Sequence, residues 1–120
     1  MASQPAASKC TIEQQRIGEI DVLSVAGVVD MLTAPRLEEA ITAAGKDSPR
    51  GVIVDLSAVD FLASAGMGIL IAARDELPAS VQFAVVADGP ATSRPLKLVG
   101  VADIVGLHAT LDAALAALTA

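Results

Sequence analysis

Tryptophan and tyrosine are absent from this chain of 120 residues, and aromatic residues make up only 2%. A core must therefore be built from Val, Leu, Ile and Ala. Few large flat side chains remain to stack on bases or to anchor a partner. Basic residues are scarce as well: 8 stand against 14 acidic ones, for a net charge of −6. A phosphate backbone is bound by clustered Lys and Arg, and here they are scattered, which argues against nucleic acid as a partner. The one cysteine, Cys10, cannot close an internal disulfide, as suits a reducing cytoplasm. The amino-terminal "MASQPAASKC" has no basic region leading into an apolar one, so it does not read as a signal peptide. Residues 1–8 are expected to be a flexible tail, with one domain over 9–120. The charge-free apolar stretch from Phe61 to Ala73 is shorter than the roughly 20 residues that cross a bilayer, so no direct membrane insertion is expected.

What is abundant is apolar residues, at 53%, enough for a core without disulfides or metal. They fall into alternating patterns. Residues 11–17 and "IDVLSVAGVV" at 20–29 are strand candidates, joined by a tight turn at 18–19 into a hairpin. Leu37, Ala40, Ile41 and Ala44 follow the spacing of one helix face, with Thr33 as N-cap, Pro35 in the first turn and Gly45 as the stop. "GVIVDL" at 51–56 reads as a central strand covered on both faces. A loop over 57–63 precedes a helix over 64–77, with Met67, Leu70, Ile71 and Arg74 along one side. Residues 81–87 form a further buried strand, and 91–100 a helix ending at Gly100 with Pro95 in its early turns. "ADIVGL" at 102–107 reads as a short strand. "TLDAALAAL" closes the chain as a helix capped by Thr110, with Leu111, Leu115 and Leu118 on one face. Strands alternating with helices favour parallel pairing. The expected fold is a single α/β domain: a mixed, mostly parallel sheet of four to five strands, about four helices and an antiparallel N-terminal hairpin. The element order leaves open whether helices cover one face or both.

A catalytic set is not in view. A hydrolase needs a nucleophile, a base and an orienting group, but the lone His108 falls in a loop and no serine lies in a GxSxG elbow. Metal ligands are not clustered, and neither a Walker loop nor a GxGxxG is present, so no cofactor is expected. Two features remain. "GVVD" at 27–30 ends an apolar strand on a carboxylate, where Asp30 is expected to bind backbone N–H groups of a turn. "ASAG" at 63–66 places Ser64 where a helix N-cap is expected. A helix start carries free N–H groups and partial positive charge. Ala63, Ala65, Gly66 and Gly68 make it a low surface that a partner backbone can approach. If the strands before Asp30 and Ser64 run parallel, both residues lie at one edge of the sheet and form a docking corner.

These two motifs carry a family likeness. "DLSAVDFLASAGMGIL" (55–70) resembles the signature of STAS domains, the family of bacterial anti-sigma factor antagonists. Its usual form is Asp-Leu-Ser followed by Phe-(Leu/Met)-Asp-Ser-(Ser/Thr)-Gly-(Leu/Met)-Gly. "GVVDMLTAPRLEEAI" (27–41) resembles the family's Gly-x-(Leu/Val)-Asp turn and first helix, and 98–100 and 109–115 echo its later segments. The resemblance implies partner switching, without enzymatic activity of its own. The antagonist binds an anti-sigma factor that is also a serine kinase, and a sigma factor is released for transcription. The kinase phosphorylates the antagonist immediately before the motif glycine, which blocks binding, and a phosphatase reverses this. In this chain the residue before Gly66 is Ala65, which has no hydroxyl, and the usual acidic position is Ala63. Phospho-control is thus absent, moved to Ser64 or replaced by another input such as Cys10 oxidation. The partner-binding residues expected on this basis are Asp30, Thr33, Leu62, Ala63, Ser64, Ala65, Gly66 and Met67. Gly66→Glu is expected to abolish binding in a domain that still folds. Two further readings are a STAS subunit docking on the ATPase of a membrane transport complex and, with the least support, an enzyme of the same fold class. The chain is expected to act as a monomer or weak dimer in the cytoplasm.

Overall fold

The computed structural model describes residues 10–119. The tail expected over 1–8 lies outside them. Ten elements follow in order: β1 (Cys10–Ile17), β2 (Ile20–Val29), α1 (Ala34–Gly45), β3 (Gly51–Leu62), α2 (Ser64–Glu76), β4 (Gln82–Val86), α3 (Ser93–Leu98), α4 (Val101–Val105), β5 (Leu107–His108) and α5 (Leu111–Thr119). The five strands form one sheet in the order β1-β2-β3-β4-β5. β1 and β2 pair antiparallel through the two-residue turn at Gly18 and Glu19, where Gly18 takes a φ of 62°. The remaining pairs are parallel.

Helices cover both faces. Leu37 and Ile41 of α1, Leu70 and Ala73 of α2, Leu96 of α3, and Val101 and Val105 of α4 pack on one side against Leu23, Val25, Val52, Val54 and Val85. On the other side α5 brings Ala114 and Leu118 against Ile20, Val22, Ile53, Ala84 and Val86. β3 is sandwiched, which is why "GVIVDL" is apolar without alternation: Val52 and Val54 face one layer and Ile53 the other.

Several expectations need correction. β3 runs to Leu62 in place of a loop over 57–63. Two register shifts each give β3 one extra residue relative to β2, so its alternation breaks while pairing continues. "ADIVGL" is mostly α4: Val101 and Val105, one turn apart, bury the same side, and only Leu107 and His108 pair with β4. His108 therefore sits in β5, where its carbonyl accepts the Ala87 N–H at 3.0 Å. The helix expected over 91–100 is α3 alone, and Gly100 (φ 79°) separates it from α4. Thr110 caps α5 as expected, its hydroxyl oxygen accepting the Ala113 N–H at 3.1 Å.

Candidate partner-binding face

β2 and β3 run parallel, so their ends deliver the Asp30 turn and the start of α2 to the same edge of the sheet. Asp30 acts as a turn residue. Its Oδ1 accepts the Leu32 N–H at 2.9 Å and the Thr33 N–H at 3.1 Å. Thr33 stands at the N-cap position of α1, but its side chain does not cap the helix. The hydroxyl donates back to the Val28 carbonyl at 2.8 Å and accepts the Asp30 N–H at 2.9 Å. The hydroxyl has a single proton, so its 3.2 Å approach to Asp30 Oδ1 is the weaker alternative. Thr33 is 2% exposed, an internal brace of the turn.

With the turn's backbone fixed in this way, Met31 and Leu32 project outward, 75% and 68% exposed. Phe61 joins them from β3, opposite Val28 in the register. The extra residue at the second register shift is Asp60, and so Asp60 and Phe61 both face solvent before Leu62 returns to the core. Three large apolar side chains thus stand exposed around the corner. Sequence reasoning missed all three. Met31 and Leu32 precede the apolar face of α1 and have no core position to fill. That would have been a usable signal; the bulge that exposes Phe61 leaves none.

The start of α2 is one residue earlier than the capping reading requires. Ala63 is the N-cap, in extended conformation, and no side chain caps the helix. Ser64 is the first helical residue, exposed to solvent. Ala63 donates its N–H to the Val29 carbonyl at 2.8 Å and so joins this start to the end of β2. Of the eight residues named from the sequence, Thr33, Leu62 and Gly66 are buried and shape the face from beneath; Asp30, Ala63, Ala65 and Met67 are half-buried; Ser64 is exposed. A β-carbon built on Gly66 would lie 2.7 Å from Leu62 Cδ1 and 2.7 Å from Val29 Cγ1, whereas one on Gly68 meets nothing within 4 Å. Gly66→Glu therefore attacks the core, and the expectation of an intact fold is corrected.

Cys10 lies under the same corner. Burial pushes its thiol above the ordinary value, outweighing the lowering by the Arg36 charge and the Thr33 hydrogen bond, and the Asp30 charge adds to the rise. A reactive thiol is exposed and has a lowered pKa; Cys10 is the reverse. Among the described residues, no three His, Cys, Asp or Glu side chains gather as a metal site. No described helix is long and apolar enough to cross a membrane.

Comparison with known proteins agrees with this layout. The STAS domain family model matches residues 11–114. A Mycobacterium tuberculosis protein named anti-sigma-F factor antagonist RsfB, found in two strains, is 45% identical over 96 residues, covering 80% of this chain and 79% of that one. The crystal structure of an anti-sigma factor antagonist from Mycobacterium paratuberculosis superposes with a TM-score of 0.90 at 44% identity, covering 99% of this chain and all of that one. The unphosphorylated form of the antagonist SpoIIAA shares the fold, with a TM-score of 0.70 at 16% identity over 88% of this chain and 93% of that one. With the Asp30 turn and the "ASAG" helix start at one sheet edge, and the family model spanning nearly every described element, this chain belongs to the STAS domain family.

Proposed function

We propose that this protein is an anti-sigma factor antagonist that acts by binding and not by catalysis. It docks on a kinase-type anti-sigma factor in the cytoplasm through the Asp30 turn, the end of β3 and the start of α2, and a sigma factor is thereby released. The observation that carries the reading is the exposure of Met31, Leu32 and Phe61 beside these two motifs, in a chain 45% identical to an anti-sigma-F factor antagonist. Exposed apolar side chains grouped at a rigid corner are what a protein partner desolvates. A membrane-transport ATPase is the competing partner, and no feature of the face favours it.

Control by phosphate falls to Ser64. Ala65 has no acceptor atom, and Ser64 is the exposed hydroxyl at the first position of α2. A phosphoryl group there carries about −1.5 to −2 charge. The positive end of the helix tolerates it, but it adds charge and bulk next to the apolar contacts.

The test is titration of the protein with its cognate anti-sigma factor. Phe61→Ala and Leu32→Ala should each weaken binding at least about tenfold, with little change in thermal stability because both side chains are exposed. Ser64→Glu should weaken it similarly. Incubation with the kinase and Mg-ATP should put phosphate on the Ser64 peptide and none on a Ser64→Ala variant. Unchanged affinity in the apolar variants, or recovery of a transporter ATPase as the bound partner, would overturn the reading.

A further inference from the structure

Among the described residues, the exposed large apolar side chains fall into two groups. Met31, Leu32 and Phe61 belong to the face above. Leu98, Val99 and Ile104, at 75%, 60% and 45% exposed, belong to α3, its C-cap and α4. We propose that this α3–α4 surface is a second docking site, taking an acidic amphipathic segment of a different protein.

Charge is the first argument. The chain as a whole is −6, yet between Asp88 and Asp103 it holds no carboxylate and two cations, Arg94 and Lys97. Arg94, Lys97 and Leu98 are spaced i, i+3, i+4 on α3, which puts them on one side of the helix, and all three are exposed. A basic and apolar surface complements an acidic and apolar segment.

Shape is the second. Ile104 also lines an open cleft of about 620 Å³ between the C-terminal end of α2 and α4, where Leu77, Phe83 and Val105 supply the apolar lining. Arg74, Asp75 and Asp103 are its charged groups, so the cleft itself is net negative and the positive character lies on α3, with Arg94 and Lys97. The cleft is at the far end of α2 from Ser64. At 1.5 Å per residue, that helix places the cleft about 20 Å from Ser64.

An anionic membrane fits less well. A bilayer plane would bring the acidic remainder of the chain within the screening length of about 8 Å, whereas a peptide segment touches only the patch. The test replaces Val99 with a photo-crosslinking phenylalanine analogue in the full chain, irradiates the native cell and sequences the adduct by mass spectrometry. The expected adduct is a peptide of another protein, rich in Asp and Glu with interspersed apolar residues. Its yield should fall about tenfold in an Arg94→Glu/Lys97→Glu variant. Circular dichroism should show that variant folded, and its affinity for the anti-sigma factor should be unchanged, so failure here is distinct from failure of the proposed function. A lipid adduct, an adduct to a second copy of this chain, a peptide without acidic excess, a yield indifferent to the charge reversal, or no adduct would each overturn the proposal.

Discussion

Gly66 lies against Val29: a β-carbon at Gly66 would stand 2.7 Å from Val29 Cγ1 and 3.4 Å from its Cβ. The first turn of α2 thus packs on the end of β2 with no room for a methyl group, beside the 2.8 Å hydrogen bond from Ala63 N–H to the Val29 carbonyl. Val29 is β-branched and cannot swing away. Gly66→Ala should lower stability by about 1–3 kcal/mol, the cost of overpacking, and Gly66→Glu should lower it further. Gly68→Ala, which meets nothing within 4 Å, serves as the control. Thermal melts of the three variants check this; a Gly66→Ala melt matching wild type would refute the close packing.

Asp30 fixes the turn through Oδ1. Asp30→Ala removes the acceptor for two backbone N–H groups and should cost about 1–3 kcal/mol. Asp30→Asn keeps an oxygen at Oδ1 and should lose much less. Because the same bonds aim Met31 and Leu32, affinity for the partner should fall in the order of lost stability. Urea denaturation and binding titrations on the same preparations provide the comparison.

Arg16 and Asp21 face each other across the hairpin, Arg16 Nε donating to Asp21 Oδ1. Asp21 is 1% exposed, and its other oxygen has no partner. Arg16 is half in solvent, so its removal costs less than breaking a fully buried pair, yet it leaves a buried carboxylate alone. Arg16→Ala should destabilise by about 1–3 kcal/mol. Adding Asp21→Leu to that variant should recover most of the loss, since the unpaired charge is then gone. A double variant weaker than Arg16→Ala in urea would show that the carboxylate is not the source of the cost.

The Cys10 thiol holds its proton above its ordinary value of 9.0 because it is buried. An acid whose folded pKa is raised keeps its proton in the fold while the unfolded chain loses it. Its contribution to stability is therefore complete below about pH 8 and declines as pH rises past the unfolded value. Wild type should lose more stability between pH 7 and pH 10 than Cys10→Ala does. Iodoacetamide should label Cys10 slowly in buffer and rapidly in urea.

Much of this architecture is legible in the residues because its signals are local. The hairpin at Gly18, the apolar run of β3, the face of α1 and the Thr110 cap all announce themselves within a few positions. What is not legible depends on neighbours. "SAVDFL" loses its alternation because β3 takes two extra residues relative to β2, and no property of those six residues requires that. "ADIV" has strand-forming side chains, but Val101 and Val105 find a buried face only as a helix turn. Ser64 suits an N-cap, yet the reach of Ala63 to Val29 starts the helix one residue earlier. At the site, Asp30 and the α2 start could be named from the sequence. Met31 and Leu32, lying ahead of the apolar face of α1, could have been added; the exposure of Phe61 could not, because it follows from the register shift between β2 and β3.

The strands stand in the sheet in the same order as in the chain. During synthesis, each strand that leaves the ribosome finds the edge it pairs with already formed, starting from the hairpin, and no strand waits for a later one to be inserted beside it. Assembly can run from one side of the sheet to the other at the pace of translation, with the newest edge and the outer edge of β1 the two open to wrong pairing at any moment.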